Sequence, residues 1–302
     1  LGAARLLKFV RYRIIYALAA LLLLPGVSVM ATGTEVHPVR AELLADAVRV
    51  DPGRAFTLVL QLEIEPGWHV YWRNPGDAGL ATAAALELPS GLQAGPWQWP
   101  VPSRFVEPGD IVAFGYSGKL LLAAAVTPSS GLGDGSGRVD PARIGVLASW
   151  LACKSRCVLG EARLAIDLPV GPELAARAVR LASELSRSVP LQTLDEQVTM
   201  STVLGGLEQG QSSGTISVWL QWKRAPGEVE QFPFADELLD VRDATTRTRG
   251  LLTRLDATVQ LQGSQRPELF ETVVVVIRDG RRTGFRLAVP LDPDQRRGGD
   301  DG

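Results

Sequence analysis

Few side chains in this sequence offer sulfur or imidazole, whether to a metal or to catalysis: its 302 residues include two cysteines, two histidines and two methionines. A closed zinc site wants four nitrogen or sulfur ligands, and His37 and His69 do not form a ligand pair with each other. Met200 is far in sequence from either cysteine. No glycine-rich loop of the phosphate-cradling kind is present, and no motif for an oxyanion or a third catalytic member accompanies a Cys-His pair. Charge of one sign is also lacking. Lys and Arg number 31 against 33 Asp and Glu, a formal net charge of −2, which argues against nucleic acid as a partner. No metal and no cofactor are expected.

Long apolar runs are confined to the start of the chain. Arg5, Lys8, Arg11 and Arg13 form a basic segment, Ile14 to Leu24 is apolar, and Val29-Met30-Ala31 fits a small-x-small cleavage pattern. Residues 1–31 therefore read as a signal peptide, with a mature start at Thr32 and export to the periplasm. An uncleaved anchor is the competing reading, although Pro25 interrupts a stretch already marginal for the roughly 20 residues of a spanning helix.

The cysteines stand four apart, in Trp150-Leu-Ala-Cys-Lys-Ser-Arg-Cys-Val-Leu. Extended backbone would hold their Cα atoms about 13 Å apart, whereas a disulfide needs roughly 4.4 to 6.8 Å. Lys154-Ser155-Arg156 must turn back sharply if the pair is bridged. Such a bridge closes a loop of about five residues, worth roughly 2 kcal/mol of chain entropy. A chain this long can bury a core without disulfides, so reactivity explains the pair better than architecture does. Positive charge at Lys154 and Arg156 would favour the thiolate, although the same two residues also suit a solvated turn. Two alternatives stay open: a structural disulfide in a non-enzymatic binding module, and a thiolate pair that handles copper.

Elsewhere short apolar runs are separated by Gly, Pro and Asp, the pattern of β-sandwiches. Strands are expected at Ala55 to Ile64, His69 to Trp72, Leu120 to Val126, Ile144 to Leu151 and Ala162 to Leu168. A second group is expected at Thr215 to Trp222, Leu251 to Gln262, Thr272 to Arg278 and Phe285 to Pro290. Asp279-Gly280 suits a hairpin turn between the last two. Pro172 to Arg187 has helical periodicity, with Leu174, Ala178, Leu181 and Leu185 on one face. It reads as a connector helix between two domains. The tail from Asp292 has no apolar residue to bury and should be disordered.

Aromatic residues concentrate around the cysteine-bearing half. Trp68, Tyr71, Trp72, Trp97, Trp99, Phe105 and Trp150 read mostly as core, and His69 reads as a packed or hydrogen-bonded strand residue. Phe114 and Tyr116, in the Gly-rich stretch Val112-Ala-Phe-Gly-Tyr-Ser-Gly, could cover a reactive sulfur from a loop.

Four ordered blocks carry a resemblance. They are Gly67-Trp-His-Val-Tyr-Trp-Arg-Asn-Pro-Gly-Asp-Ala-Gly-Leu, Trp97-Gln-Trp-Pro-Val-Pro-Ser-Arg-Phe, Phe114-Gly-Tyr-Ser-Gly, and the cysteine segment continued through Gly160-Glu-Ala. Together they resemble the N-terminal periplasmic domain of the DsbD/ScsB thiol:disulfide interchange proteins, closer to the ScsB-like branch, over most of Val36 to Leu168. Gln231-Phe-Pro-Phe-Ala-Asp looks like part of a second β-rich segment in that branch.

The resemblance implies an immunoglobulin-like β-sandwich carrying the cysteine pair (32–170), and with the patterns above the chain reads as all-β, the sandwich being followed by the connector helix (171–190), a second β-sandwich-like domain (191–291) and the tail (292–302). It implies a protein-disulfide reductase component that passes reducing equivalents to oxidised thioredoxin-fold periplasmic proteins, of the disulfide isomerase or cytochrome-maturation type. By the resemblance Cys157 attacks the partner disulfide and Cys153 resolves it. Phe114 to Tyr116 falls where the family places a cap loop, and Lys154 and Arg156 support the site. This sequence departs from the pattern at Val158-Leu159, where Ile-Pro or Tyr-Pro usually follows the second cysteine. It also contains no multi-helix membrane domain or thioredoxin domain, so the electron donor is expected to be a separate membrane protein, or the gene to be a fragment.

Overall fold

A computed structural model describes residues 37–132, 141–172, 198–208, 210–235 and 238–292. The expected signal peptide, the connector helix from residue 173 onward and the tail from residue 293 onward lie outside the described residues. Every regular element among the described residues is a β-strand, and none of them is a helix long and apolar enough to cross a membrane.

The cysteine-bearing part is an immunoglobulin-like sandwich of two antiparallel sheets. One has the strand order β1 (Val39–Ala45), β2 (Phe56–Ile64), β8 (Lys119–Pro128) and β5 (Leu92–Ala94). The other runs β10 (Cys157–Leu168), β9 (Ala142–Cys153), β3 (His69–Gly76), β7 (Ile111–Tyr116) and β6 (Ser103–Glu107), with β4 (Ala83–Glu87) also pairing β9. Alternation fixes the inner faces. Leu58, Leu60 and Leu62 of β2 meet Val70 and Trp72 of β3, with Ile144, Val146, Ala148, Trp150 and Ala152 of β9, in one buried core.

The remaining strands form a four-stranded sheet, β11 (Val198–Gly205), β12 (Ser213–Trp222), β15 (Leu252–Leu261) and β14 (Leu239–Arg249), and a three-stranded one, β13 (Glu228–Pro233), β16 (Leu269–Arg278) and β17 (Arg281–Pro290). The run Thr272-Val-Val-Val-Val-Ile is continuous rather than alternating because β16 is covered on both faces, as such runs usually are. Val273 and Val275 point into the first core, and Phe270, Val274 and Val276 into the second. The three-stranded sheet is thus a wall shared by two cores. Phe232 and Phe234, from the Gln231-Phe-Pro-Phe segment, reinforce it. Both rings pack on Trp72, Phe232 also packs on Phe114, and the buried Asn74 amide donates to the Pro233 carbonyl at 2.8 Å. Arg282 of β17 reaches across to the Pro102 carbonyl and the Ser103 hydroxyl.

The nine expected strands are present as β2, β3, β8, β9, β10, β12, β15, β16 and β17. The main extension is β10, which begins at Cys157 rather than Ala162.

Candidate active site

β9 and β10 form a hairpin whose ladder runs from Leu168 opposite Ala142 to Cys157 opposite Cys153. The turn holds only Lys154, Ser155 and Arg156, closed by the Lys154 N–H donating to the Arg156 carbonyl at 3.0 Å. The cysteine Cα atoms lie 4.1 Å apart and the sulfurs are joined in a disulfide. Directly opposed antiparallel residues approach to about 4.5 Å anyway, so the pairing of the strands itself brings the two sulfurs together.

The two sulfurs have different surroundings. Cys153 is 2% exposed, packed with Tyr71 and Ala113 and bordered by Phe105 and Leu151, whereas Cys157 is exposed. Two residues beyond Cys157, Leu159 pairs with Leu151 and leaves 70% of its surface in solvent. An incoming disulfide could therefore reach Cys157 beside an apolar contact, while Cys153 stays covered.

On the neighbouring strand His69 stands directly opposite Cys153. Its ring stacks on Phe105 at 4.6 Å and meets Tyr71 edge-on at 5.2 Å. His69 Nε2 lies 3.0 Å from Glu107 Oε1, and the Tyr71 hydroxyl donates to the same oxygen at 2.7 Å. Burial, and then the hydrogen bond and charge of Glu107, push the Tyr71 hydroxyl well above its ordinary pKa. It stays a neutral donor. A strand residue is what the sequence suggested for His69, but nothing suggested Glu107, which lies 38 residues away at the far edge of the same sheet.

Lys154 and Arg156 fold back on the turn between β2 and β3. The Lys154 ammonium donates to the Pro66 carbonyl at 3.3 Å, and the Arg156 guanidinium lies 5.9 Å from the Trp68 ring centre. Both residues lie in the turn between the cysteines, with their side chains anchored on that neighbouring turn.

Phe114 and Tyr116 require a correction. They belong to β7, not to a loop, and Tyr116 pairs with Val70 in register. Side chains of paired residues share a face, and Val70 points into the core while its neighbour His69 points to the cysteine side. Phe114 and Tyr116 therefore lie under the sheet, Phe114 against Phe232 and Tyr116 against Trp99 with its hydroxyl donating to the Pro100 carbonyl at 2.8 Å. Gly115 makes the segment look like a loop, but the strand needs a glycine there. A Cβ at that position would fall onto the Val70 carbonyl. The rings on the cysteine face are those of His69, Tyr71 and Phe105.

Among the described residues no group of three or more His, Cys, Asp or Glu is placed to hold a metal ion.

An immunoglobulin-like sandwich with a disulfide at one hairpin end defines a class, and comparison with known proteins shows what that part of the chain is similar to. Residues 40–169 match the family described as thiol:disulfide interchange protein DsbD, N-terminal, and this part of the chain is a DsbD/ScsB-like N-terminal domain. The fold is similar to the crystal structure of the N-terminal periplasmic domain of ScsB from Proteus mirabilis. That similarity has a TM-score of 0.56 at 18% identity and covers 86% of this chain and 96% of the other. No curated protein matches the chain in sequence.

Proposed function

We propose that the chain is a periplasmic thiol-disulfide exchange module that passes reducing equivalents through Cys153 and Cys157 to oxidised proteins of thioredoxin fold, of the disulfide isomerase or cytochrome-maturation type. One observation carries the assignment of roles: Cys157 is exposed and Cys153 is 2% exposed. In the reduced state the Cys157 thiolate attacks one sulfur of the partner disulfide and expels the other, giving a mixed disulfide. Cys153 then attacks the sulfur of Cys157 and releases the reduced partner. The buried sulfur suits the second step, because its target is always at hand. Lys154 and Arg156 bring positive charge to the turn between the two cysteines, which favours the attacking thiolate.

The test is capture. Reduced Cys153→Ala, mixed with an oxidised thioredoxin-fold disulfide isomerase, should accumulate an adduct that dithiothreitol releases, and reduced Cys157→Ala should accumulate much less. Equal capture by both variants would reverse or abolish the assigned roles. No capture by either would favour a structural disulfide in a binding module.

A further inference from the structure

Resolution leaves one proton to be placed. Cys153 is enclosed by Tyr71, Ala113, Phe105 and Leu151, and burial among apolar groups disfavours a thiolate. Water has little access to this sulfur, so a protein group must accept the proton.

The surroundings narrow the choice. The Tyr71 hydroxyl is already a donor to Glu107, and its burial keeps it neutral. Lys154 carries protons of its own and donates one to the Pro66 carbonyl. His69 remains. Opposed residues of an antiparallel pair have Cβ atoms about 5 Å apart on one face of the sheet; His69 is so placed opposite Cys153, is 7% exposed, and packs its ring on Tyr71 and Phe105, which also border that cysteine. With Glu107 Oε1 3.0 Å from Nε2 to accept a hydrogen bond, the neutral ring carries its proton on Nε2 and its lone pair on Nδ1. Phe105 and Tyr71 hold the ring in place from its face and its edge.

We propose that His69, oriented by Glu107, is the base of the resolving half-reaction and takes the thiol proton of Cys153 as that sulfur attacks Cys157. The inference rests on the exchange function proposed above. The Cys153 S–H bond breaks and its proton goes to Nδ1, while the sulfur electron pair forms the bond to Cys157. The bond from Cys157 to the partner sulfur breaks, and its electron pair leaves on the partner as a thiolate. The two cysteines are together oxidised by two electrons and the partner disulfide is reduced to a dithiol. Glu107, facing the imidazolium, stabilises it until the proton passes to the departing thiolate or to solvent. This is the order of nucleophile, base and orienting carboxylate found in activated-nucleophile sites generally. Here it serves the second sulfur rather than the first.

Two half-reactions can be timed separately with Ellman's reagent, 5,5′-dithiobis(2-nitrobenzoate). Attack by Cys157 on the reagent releases one coloured thiolate, and resolution by Cys153 releases a second. His69→Gln, which keeps a donor toward Glu107 but removes the base, should slow the second release on the order of 100-fold and leave the first unchanged. Glu107→Gln should slow the second release to a smaller extent, again sparing the first. A merely structural role for either side chain would not separate the two phases. Unchanged second release in both variants, or equal slowing of both releases, would overturn the proposal. If the unsubstituted protein forms two independent adducts with no resolving phase, the exchange function itself fails, and the base is lost with it.

Discussion

The two hairpins β9–β10 and β16–β17 are alike along their ladders and different at their ends. Both pair without a register shift, and both are anchored by buried faces: Ile144, Val146, Ala148, Trp150 and Ala152 in β9, and Val273 to Val276 in β16. In β9–β10, with one face buried, a one-residue slip would turn the apolar set to solvent, and in β16–β17 it would exchange the side chains that face the two cores, so register is already specified in both. β16–β17 then closes with a two-residue turn, Asp279 at φ 51° and Gly280 at φ 73°, both in the left-handed region that suits the twist of a hairpin. β9–β10 closes through three residues with a disulfide across the last pair. The first case shows that backbone chemistry alone can end a ladder of this kind. A hairpin of this kind does not as such require a bridge, and the exposure of Cys157 at the end of the second fits a chemical role.

The comparison can be broken from either end. Gly280→Val forces a β-branched residue into left-handed backbone and should cost about 2 kcal/mol or more. Urea unfolding should show it as a lower midpoint. A neutral result would mean that the turn does not depend on glycine and that the contrast between the hairpins is empty.

Much of this contrast was legible in the sequence. Asp279-Gly280 announced its turn by residue type, and the cysteine pair announced itself by adjacency. The cysteine role assignment came from resemblance, and the structure adds the difference in burial between the two sulfurs. The Phe114 and Tyr116 reading failed because a glycine in a strand interior has the same local signature as a glycine in a loop. The decisive fact, the approach of the Val70 backbone, is not local. Glu107 went unseen for a related reason. It ends a short strand just before Pro108-Gly-Asp, and only the order β3, β7, β6 brings it back over His69. The strand β16 was visible as an apolar run, but a continuous run does not say which core each face enters. β14, with Asp240, Arg242, Asp243, Arg247 and Arg249 among its residues, had too little alternation to be read as a strand at all.

A smaller effect is expected at the other hairpin end. Cys153→Ala combined with Cys157→Ala removes at most about 2 kcal/mol of loop entropy. The ladder should hold, and the melting temperature should fall by no more than about 8 °C. Global unfolding of the double variant would make the bridge architectural and remove the asymmetry between the hairpins.

The most direct measurement is the reduction potential of the Cys153–Cys157 bridge, obtained by equilibrating the protein in dithiothreitol and glutathione buffers of graded ratio and trapping free thiols. An exchange module must give up and regain its bridge in contact with other protein disulfides, so the midpoint should lie above about −300 mV. A midpoint well below that value would mark the bridge as a structural staple and contradict the account.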